Sequence, residues 1–360
     1  MRAHVKQYTR MALPLIAALA VLPAVALAPS AAAATGPSYA IAFEAVSNQH
    51  LWYYDSSTGN HDTGFAMAYG SSGTVQTSPA IVFDNSGSYV IAFQANTAHG
   101  AGAGHLYIYT PTGNDHLDTG LIMNPGTSPS ISQTDVVAFQ ANTGYLWYYT
   151  IEGQAHNTGL AMAPGTSPSI SPDGAEIVFQ ANTGYLWTYT VGGSAHNTGL
   201  AMTSGTSPSL GMCSLSCYTV AFDANTGILW TYVVGGSADD TGLRMFDSPA
   251  MDPTNAEYVA FASLPSGQVL WLNTLSGAVG SDVGADAASQ IQNGSSPSMG
   301  PQVDPVTGEV TDHWIAFSAV GGGGDLASYD INYDLTGDYG VGVEPFTSPA
   351  YSVGARLSLE

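Results

Sequence analysis

The 360-residue chain is built from an internal repeat of about forty to fifty residues. Residues 138–169 and 178–209 have nearly the same sequence, and both contain Phe-Gln-Ala-Asn-Thr-Gly-Tyr-Leu-Trp and Gly-Thr-Ser-Pro-Ser. Three anchors recur in phase. The first is a Phe in an apolar run: Phe43, Phe93, Phe139, Phe179, Phe222, Phe261 and Phe317. The second is the Ser of a Ser-Pro pair: Ser78, Ser128, Ser167, Ser207, Ser248, Ser296 and Ser348. The third is the Asp or Asn of an Asx-x-Gly triplet: Asp62, Asp118, Asn157, Asn197, Asp240, Asp282 and Asp338. Each series has seven members, so the chain contains seven units.

This period, with short apolar and aromatic segments between Gly, Pro, Asn and Asp turns, predicts an all-β fold. The fold expected is a seven-bladed β-propeller of four-stranded antiparallel blades. In the third unit we expect strands at 130–132, 136–141, 145–149 and 159–162. The first Phe has no Ser-Pro strand before it, and the last Ser-Pro has no Phe after it. Residues 349–353 should therefore complete blade one and close the ring.

The N-terminus has the pattern of a secretory signal peptide. Arg2, Lys6 and Arg10 precede an apolar run over 11–28, and small residues follow at 31–34. We expect residues 1–34 to be removed and residues 35–360 to form one secreted extracellular propeller domain. A membrane anchor is the alternative, because the apolar run is just long enough to span a bilayer.

Charge excludes several functions. Only two basic residues, Arg244 and Arg356, follow position 10, against 27 acidic ones, which gives the mature chain a net charge of −25. Nucleic acids and anionic membrane surfaces are bound mainly through Lys and Arg, so neither is expected as a partner. Phosphoryl transfer and arginine-clamped sialic-acid hydrolysis lack their cations as well.

The two cysteines, Cys213 and Cys217, lie in a short turn-like segment. In an oxidising compartment such a pair is expected to form a disulfide. A metal site is the alternative, but no nearby His or second Cys pair supports one.

A polar triplet follows the Phe anchor in blades two to five but not elsewhere. Its polar members are Gln94, Asn96, Gln140, Asn142, Gln180, Asn182, Asp223 and Asn225. Blade one has Glu44-Ala45-Val46 instead. A Leu-Trp pair follows in three of these blades and contributes Trp147, Trp187 and Trp230. Histidines recur at one repeat position, at His61, His116, His156 and His196, with Asp239 in blade five.

These residue types allow two interpretations. Aromatic rings beside amides, carboxylates and imidazoles are typical of a sugar site, in which rings stack on the pyranose and polar groups bond its hydroxyls. The same residues would equally serve structure. The Phe and Trp series would fill the interfaces between blades, and the amides would bond the backbone at the strand turns. The Asx-x-Gly series is expected to form turns, and Ser-Pro to begin inner strands.

The text Ala-Phe-Gln-Ala-Asn-Thr-Gly-x-Leu-Trp, with Thr-Gly-Leu-x-Met and Gly-Thr-Ser-Pro-Ser-Ile, resembles secreted bacterial modules of the PLL-like propeller class. These are related to seven-bladed fucose-binding lectins. The resemblance covers residues 36–360 and implies sites between adjacent blades, at the Gln/Asp-Ala-Asn and Leu-Trp positions of blades two to five. The chain departs from the pattern at Tyr107, which replaces Trp, and at Leu326-Ala327 in blade seven.

The expected function is therefore that of a non-catalytic, lectin-like protein whose partner is a glycan or cell-surface polysaccharide. The alternatives are a scaffold that binds a cell-surface protein and, with less support, a glycoside hydrolase. The sequence contains no G-x-S-x-G motif for a nucleophilic serine, and most of its acidic residues lie in turn-like segments. No cofactor is expected. Calcium remains an alternative because Asp304, Asp312, Asp334 and Asp338 fall in the least regular unit, although without an EF-hand pattern.

Overall fold

The computed structural model describes residues 39–68, 77–96, 104–151, 153–214, 216–263, 269–274, 276–282, 290–303, 310–320, 324–332 and 335–353. The predicted signal peptide lies outside these residues. In the described ranges the chain is all strand, turn and irregular segment. No helix in them is long and apolar enough to cross a membrane.

The strands form seven four-stranded antiparallel sheets, as the repeat predicted. Blade one contains β1 (Tyr39–Glu44), β2 (His50–Asp55) and β3 (Gly59–Ala66). Blade two contains β4 (Ala80–Phe83), β5 (Tyr89–Ala95), β6 (His105–Thr110) and β7 (Asp115–Ile122). Blade three contains β8 (Ser130–Ile131), β9 (Val136–Gln140), β10 (Tyr145–Thr150) and β11 (Ala155–Ala161). Blade four contains β12 (Ser169–Ile170), β13 (Glu176–Gln180), β14 (Tyr185–Thr190) and β15 (Ala195–Ala201).

The later blades follow the same order. Blade five contains β16 (Ser209–Ser214), β17 (Cys217–Asp223), β18 (Ile228–Val233) and β19 (Ala238–Arg244). Blade six contains β20 (Phe246–Met251), β21 (Tyr258–Ala262), β22 (Val269–Asn273) and β23 (Ala278–Asp282). Blade seven contains β24 (Ser298–Val303), β25 (Val310–Ser318), β26 (Asp325–Asp330) and β27 (Leu335–Gly342).

Ring closure occurs where the termini of the repeat overlap. The last strand, β28 (Ala350–Val353), pairs antiparallel with β1, so Ile41 lies opposite Tyr351 and Ala42 opposite Ala350. The order in blade one is therefore β28-β1-β2-β3. This confirms the expectation that the C-terminal segment supplies the inner strand of the first blade.

The core lies between the blades. The second strand of each blade is almost wholly buried because neighbouring sheets cover both of its faces. All seven Phe anchors are buried, and each packs against the preceding blade in the ring. This arrangement explains why apolar residues run continuously through the second strands instead of alternating with polar ones.

Adjacent blades are also joined through their backbones. Met123, Met162 and Met202, which end outer strands, form β-bridges with Ala141, Ala181 and Ala224 of the following blades. These bridges lie on the face that carries the turns between second and third strands, here called the upper face. The lower face carries the other two turns of each blade.

The sequence predicted that the Asx-x-Gly triplets form turns. They instead form β-bulges within the outer strands. In blade three, Gly159 N donates to Asn157 Oδ1 (2.9 Å), and the pairing of β10 with β11 shifts between Tyr145 and Trp147. Gly159 has a φ of 73°, which a residue with a Cβ adopts only at a cost. The outer strand therefore begins at Ala155, four residues before the start that the sequence suggested.

The predicted disulfide between Cys213 and Cys217 is confirmed, with Cα atoms 5.2 Å apart. It closes the β16–β17 hairpin of blade five, and Cys213 is exposed. Because so short a loop restricts the unfolded chain little, replacing both cysteines by Ser should lower the free energy of unfolding by only about 2 kcal/mol. Chemical denaturation checks this value. A loss above about 4 kcal/mol would contradict it and would assign the bridge a larger role in holding blade five together.

Candidate functional site

The candidate site is the outer part of an interface between blades, here called a groove, and it recurs between blades two and three, three and four, and four and five. Side chains from the last two strands of one blade form one wall, and the outer strand of the preceding blade forms the other. In the groove between blades three and four, Trp187 lies beside Phe179 and Asn197 in strand register. The rings of Phe179 and Trp187 are 6.4 Å apart.

The same arrangement holds in the two neighbouring grooves. Trp147 lies between Phe139 and Asn157, and Trp230 lies beside Phe222 with a ring separation of 6.5 Å. All three tryptophans are half-buried, and their indole N–H groups are enclosed with no acceptor among the described residues. The inner edge of each ring therefore belongs to the blade interface, as the structural interpretation held. Only the outer part of the ring surface is left for a ligand.

The opposite wall carries histidine in two of these grooves. His156 is exposed and stacks on Tyr148 at 4.6 Å with a 16° interplanar angle. Tyr148 in turn lies 6.2 Å from Tyr189 of blade four, so His156 faces the groove that contains Trp187. His196 occupies the equivalent position for the groove that contains Trp230.

His116 does not share this position. It pairs with Tyr109, whereas the equivalent of His156 in blade two is Leu117, opposite Ile108. Because neighbouring residues in a strand face opposite sides, His116 lies on the blade-one side, 4.9 Å from the ring of Phe65. The assignment of His116 to one repeat position with the other histidines is therefore wrong by one residue.

The asparagines of the polar triplet are exposed at the upper end of the grooves. Their backbone N–H groups join the blades, since Asn142 N donates to Ile122 O at 3.1 Å and Asn182 N donates to Ala161 O at 3.0 Å. Asn96 and Asn225 make the same bonds to Ala66 and Ala201. The side-chain amides stay at the surface, next to the strand that carries the Trp.

The other member of the triplet is buried. Gln94, Gln140 and Gln180 have at most 1% of their surface exposed. Gln140 Nε2 donates to Ala163 O and Gln180 Nε2 to Thr203 O, both at 2.9 Å. These amides satisfy carbonyl groups of the connections between blades, which is the structural interpretation. They do not reach the groove surface, so these glutamines cannot contact a ligand bound there.

Asp223 replaces the glutamine in blade five and is also buried. Burial raises the pKa of its carboxyl group to about 6, and the neighbouring Asp247 adds to the rise. A hydrogen bond from Thr203 opposes it. Asp223 therefore belongs to the blade interface near the propeller axis.

Two exposed tyrosines line the same wall but were missed from the sequence. Tyr145 and Tyr185 lie two residues before the Trp and therefore on its face of the strand, and each is 39% exposed. Asn157 and Asn197 were interpreted only as turn residues. The alternation of side chains along the third strand places each tyrosine on the same face as the Trp two residues later, so the sequence could have indicated this position. The bulge register that places the asparagines beside Trp was not readable from sequence.

In blades one and two, a His and an Asp take the positions that Tyr145 and Asn157 have in blade three. His50 Nδ1 lies 3.0 Å from Asp62 Oδ1, and His105 Nδ1 lies 3.0 Å from Asp118 Oδ1. Burial alone would raise the pKa of Asp62, but hydrogen bonds from Gly64 N–H, His50 and Asn48 outweigh it and lower the pKa. These carboxylates are therefore held ionised.

Blades six and seven lack the wall. Leu270 rather than Trp271 pairs with Phe261, so the register places Trp271 on the other side of blade six, against the blade-seven core. In blade seven Ala327 lies opposite Phe317.

Of the acids that could bind calcium, Asp304 and Asp334 lie outside the described residues. Asp312 is buried on β25, whereas Asp338 is exposed on β27. The described residues contain no group of three or more His, Cys, Asp or Glu that could hold a metal.

No protein-family model matches the chain, and no curated protein matches it. Among solved structures, the SapL1 lectin in complex with alpha methyl fucoside has a TM-score of 0.50 and 12% identity, and the match covers 79% of this chain and 98% of the lectin. The Niastella koreensis GH74 enzyme has a TM-score of 0.49 and 13% identity, covering 80% of this chain and 40% of the enzyme. TolB from Acinetobacter baumannii has a TM-score of 0.48 and 13% identity, covering 88% and 66%. At these identities the likeness to the lectin shows the propeller fold alone.

Proposed function

We propose that this protein is a secreted, non-catalytic carbohydrate-binding propeller. Its binding sites are the three grooves between blades two and three, three and four, and four and five. The observation that carries the proposal is that one set of exposed Tyr and Asn side chains around a half-buried Trp recurs in adjacent grooves. The third blade presents Asn142, Tyr145, Trp147 and Asn157, and the fourth presents the equivalent Asn182, Tyr185, Trp187 and Asn197. The interface core does not require the exposed tyrosine and asparagines of this set.

The chemistry of the set suits a neutral sugar. The outer ring surfaces of Tyr and Trp can stack on the apolar face of a pyranose, and the amides and the imidazole can bond its hydroxyls. Asn157 Oδ1 already accepts the Gly159 N–H, which leaves the Nδ2 group to donate to a ligand. The scarcity of Lys and Arg disfavours anionic glycans. That one similar structure is a lectin solved with a fucoside adds support at the level of the fold.

Several weak sites on one rigid ring would act together on a polysaccharide surface.

The test is a glycan-array screen of the purified protein, with calcium in one arm and a chelator in the other. Calorimetry with the best monosaccharide follows. Trp187→Ala and Asn182→Ala should each lower the number of binding sites by one, because each change removes one groove and leaves its neighbours intact.

The matched control is Trp271→Ala, which removes an indole of similar burial outside the grooves. It should leave the number of sites unchanged although it costs stability. A folded protein that binds no glycan on the array would refute the proposal, and a pull-down from the producing cell's surface would then test the protein-binding alternative. Loss of binding in the chelator arm would contradict a site made only of amides and rings.

A further inference from the structure

The propeller axis contains a cavity of about 420 Å³, and none of the groove residues lines it. The Ser-Pro pairs of all seven blades line it. In the described residues, six of the serines donate their backbone N–H to the Oγ of the serine in the next blade, at 2.8–2.9 Å. Each of these Oγ atoms accepts one backbone bond, and its second lone pair is left to accept a hydrogen bond from a donor group in the cavity.

The ring of serines is interrupted at one point. Ser248 N donates to Asp247 Oδ1 at 3.0 Å instead of reaching Ser296, and Ser296 Oγ lies 3.4 Å from the same oxygen. The cause is a connection shortened by two residues. Only Phe246 and Asp247 separate Met245 from Ser248, whereas four residues separate Met202 from Ser207.

The shortening brings a carboxylate to the wall of the cavity. Asp247 Oδ1 accepts both bonds, and Oδ2 has no hydrogen bond to the described residues. Asp247 has a φ of 75°, a conformation that is uncommon for residues other than Gly. The carboxylate position is thus imposed by the short connection, in a conformation that a longer loop would not require.

An aromatic ring borders the same part of the cavity. Phe346 has a φ of 68° at a position where Gly126, Gly165, Gly205 and Gly294 take positive φ in other connections. A bulky residue in this conformation is strained, yet Phe346 is 38% exposed at the cavity wall. Its ring lies over Gly294, where a side chain would collide with it. The strain therefore positions an exposed ring and adds little to the core.

The charges around the cavity are of one sign. Among the described residues that line it, none is Lys, Arg or His, and Asp247 is acidic. The chain as a whole has a net charge of −22, which raises the local concentration of cations. An anion is therefore disfavoured, and a carboxylate beside an aromatic face is the pairing that binds organic ammonium groups.

We propose that the axial cavity binds an organic ammonium group between the Asp247 carboxylate and the Phe346 ring, with the serine hydroxyls around it. The group is carried by a small amine or by a lysine side chain. The site is separate from the grooves between blades, and it falls at blades six and seven, which lack the groove residues. The proposal therefore does not depend on glycan binding.

The test is isothermal titration of the purified protein with n-butylammonium chloride. The neutral isostere n-butanol is the comparison ligand, and Nα-acetyl-lysine amide represents a lysine side chain. We expect n-butylammonium to bind at least tenfold more tightly than n-butanol. Asp247→Asn should weaken it at least tenfold, and Phe346→Gly severalfold. Tighter binding of the lysine derivative would indicate a peptide as the source of the ammonium group.

Asp115→Asn is the control, since Asp115 is exposed on the outer strand of blade two and its replacement removes the same charge away from the axis. Phe346→Gly is expected to fold even if Asp247→Asn does not, because four other connections have Gly at that position. Equal affinity for n-butanol, binding unchanged in both variants, or no binding by the folded protein would each overturn the proposal. Glycan binding should be the same in all of these variants.

Discussion

A chain that ends at Ser348 should fail to form a folded monomer. The deletion removes β28, so β1 loses its partner and becomes an open edge. It also removes Tyr351, a buried side chain that packs between blades seven and one and donates to Pro301 O at 3.3 Å. The combined loss is comparable with the whole stability of a typical domain, roughly 5–15 kcal/mol. Circular dichroism melts and size-exclusion chromatography measure the result.

The matched control ends at Val353 and removes only residues beyond β28. It should melt as the full chain does. Tyr351→Ala should lie between the two, with a loss of about 3–5 kcal/mol for a large buried aromatic. If the chain that ends at Ser348 melts cooperatively within a few degrees of the full chain, closure by the C-terminal strand does not determine stability.

Glu44→Gln should stabilise the protein at neutral and alkaline pH. Glu44 occupies the position at which blades two, three and four have Gln, and it is fully buried. In the described residues neither of its carboxyl oxygens has a donor. Burial, together with the nearby Glu344, raises the pKa of Glu44 from 4.5 to about 9.

The direction of the pH effect follows from the proton count. Between pH 4.5 and 9 the folded state keeps a proton on Glu44 that the unfolded state releases, so stability falls as pH rises through this range. Each pH unit above 4.5 costs about 1.4 kcal/mol, which gives roughly 3 kcal/mol at pH 7. Gln keeps the shape without this cost, so Glu44→Gln should raise Tm by about 5 °C at pH 7 and by little at pH 4.

The reciprocal control is Gln94→Glu, which places an acid at the equivalent position of blade two. It should lower Tm at pH 7 and show a smaller effect at pH 4. Melting curves at several pH values for the three proteins measure both changes. A Tm difference between wild type and Glu44→Gln that does not vary with pH would contradict the assignment, because packing alone carries no proton.

The same reasoning extends to the other buried acids. Burial, with Asp330 beside it, raises the pKa of Asp312 to about 7, and burial raises that of Asp223 to about 6. Both acids, like Glu44, favour the folded state most at acid pH. The wild-type protein is therefore expected to be most stable below neutrality, at about the ordinary carboxyl pKa.

How far the sequence predicted the candidate site depends on the residue. The Trp positions followed from the repeat because the two nearly identical units keep Phe179 and Trp187 at the spacing of Phe139 and Trp147. Gln140 and Asn142 looked equivalent as partners for a ligand, yet Gln140 is buried and Asn142 is exposed. Strand alternation does not separate them, since Asn142 lies past the strand end, in a turn whose direction is set by the neighbouring blade.

The sequence by itself determined the number of blades, the closure by the C-terminal strand and the disulfide, because these follow from periodicity, from residue types and from a short separation along the chain. The tertiary structure alone decided which side chains share a groove, since a bulge in the outer strand changes which residues lie beside the Trp. It also decided that the seven Ser-Pro pairs meet around one cavity. The contact between Ser348 and Ser78, which are 270 positions apart, exists only once the ring has closed.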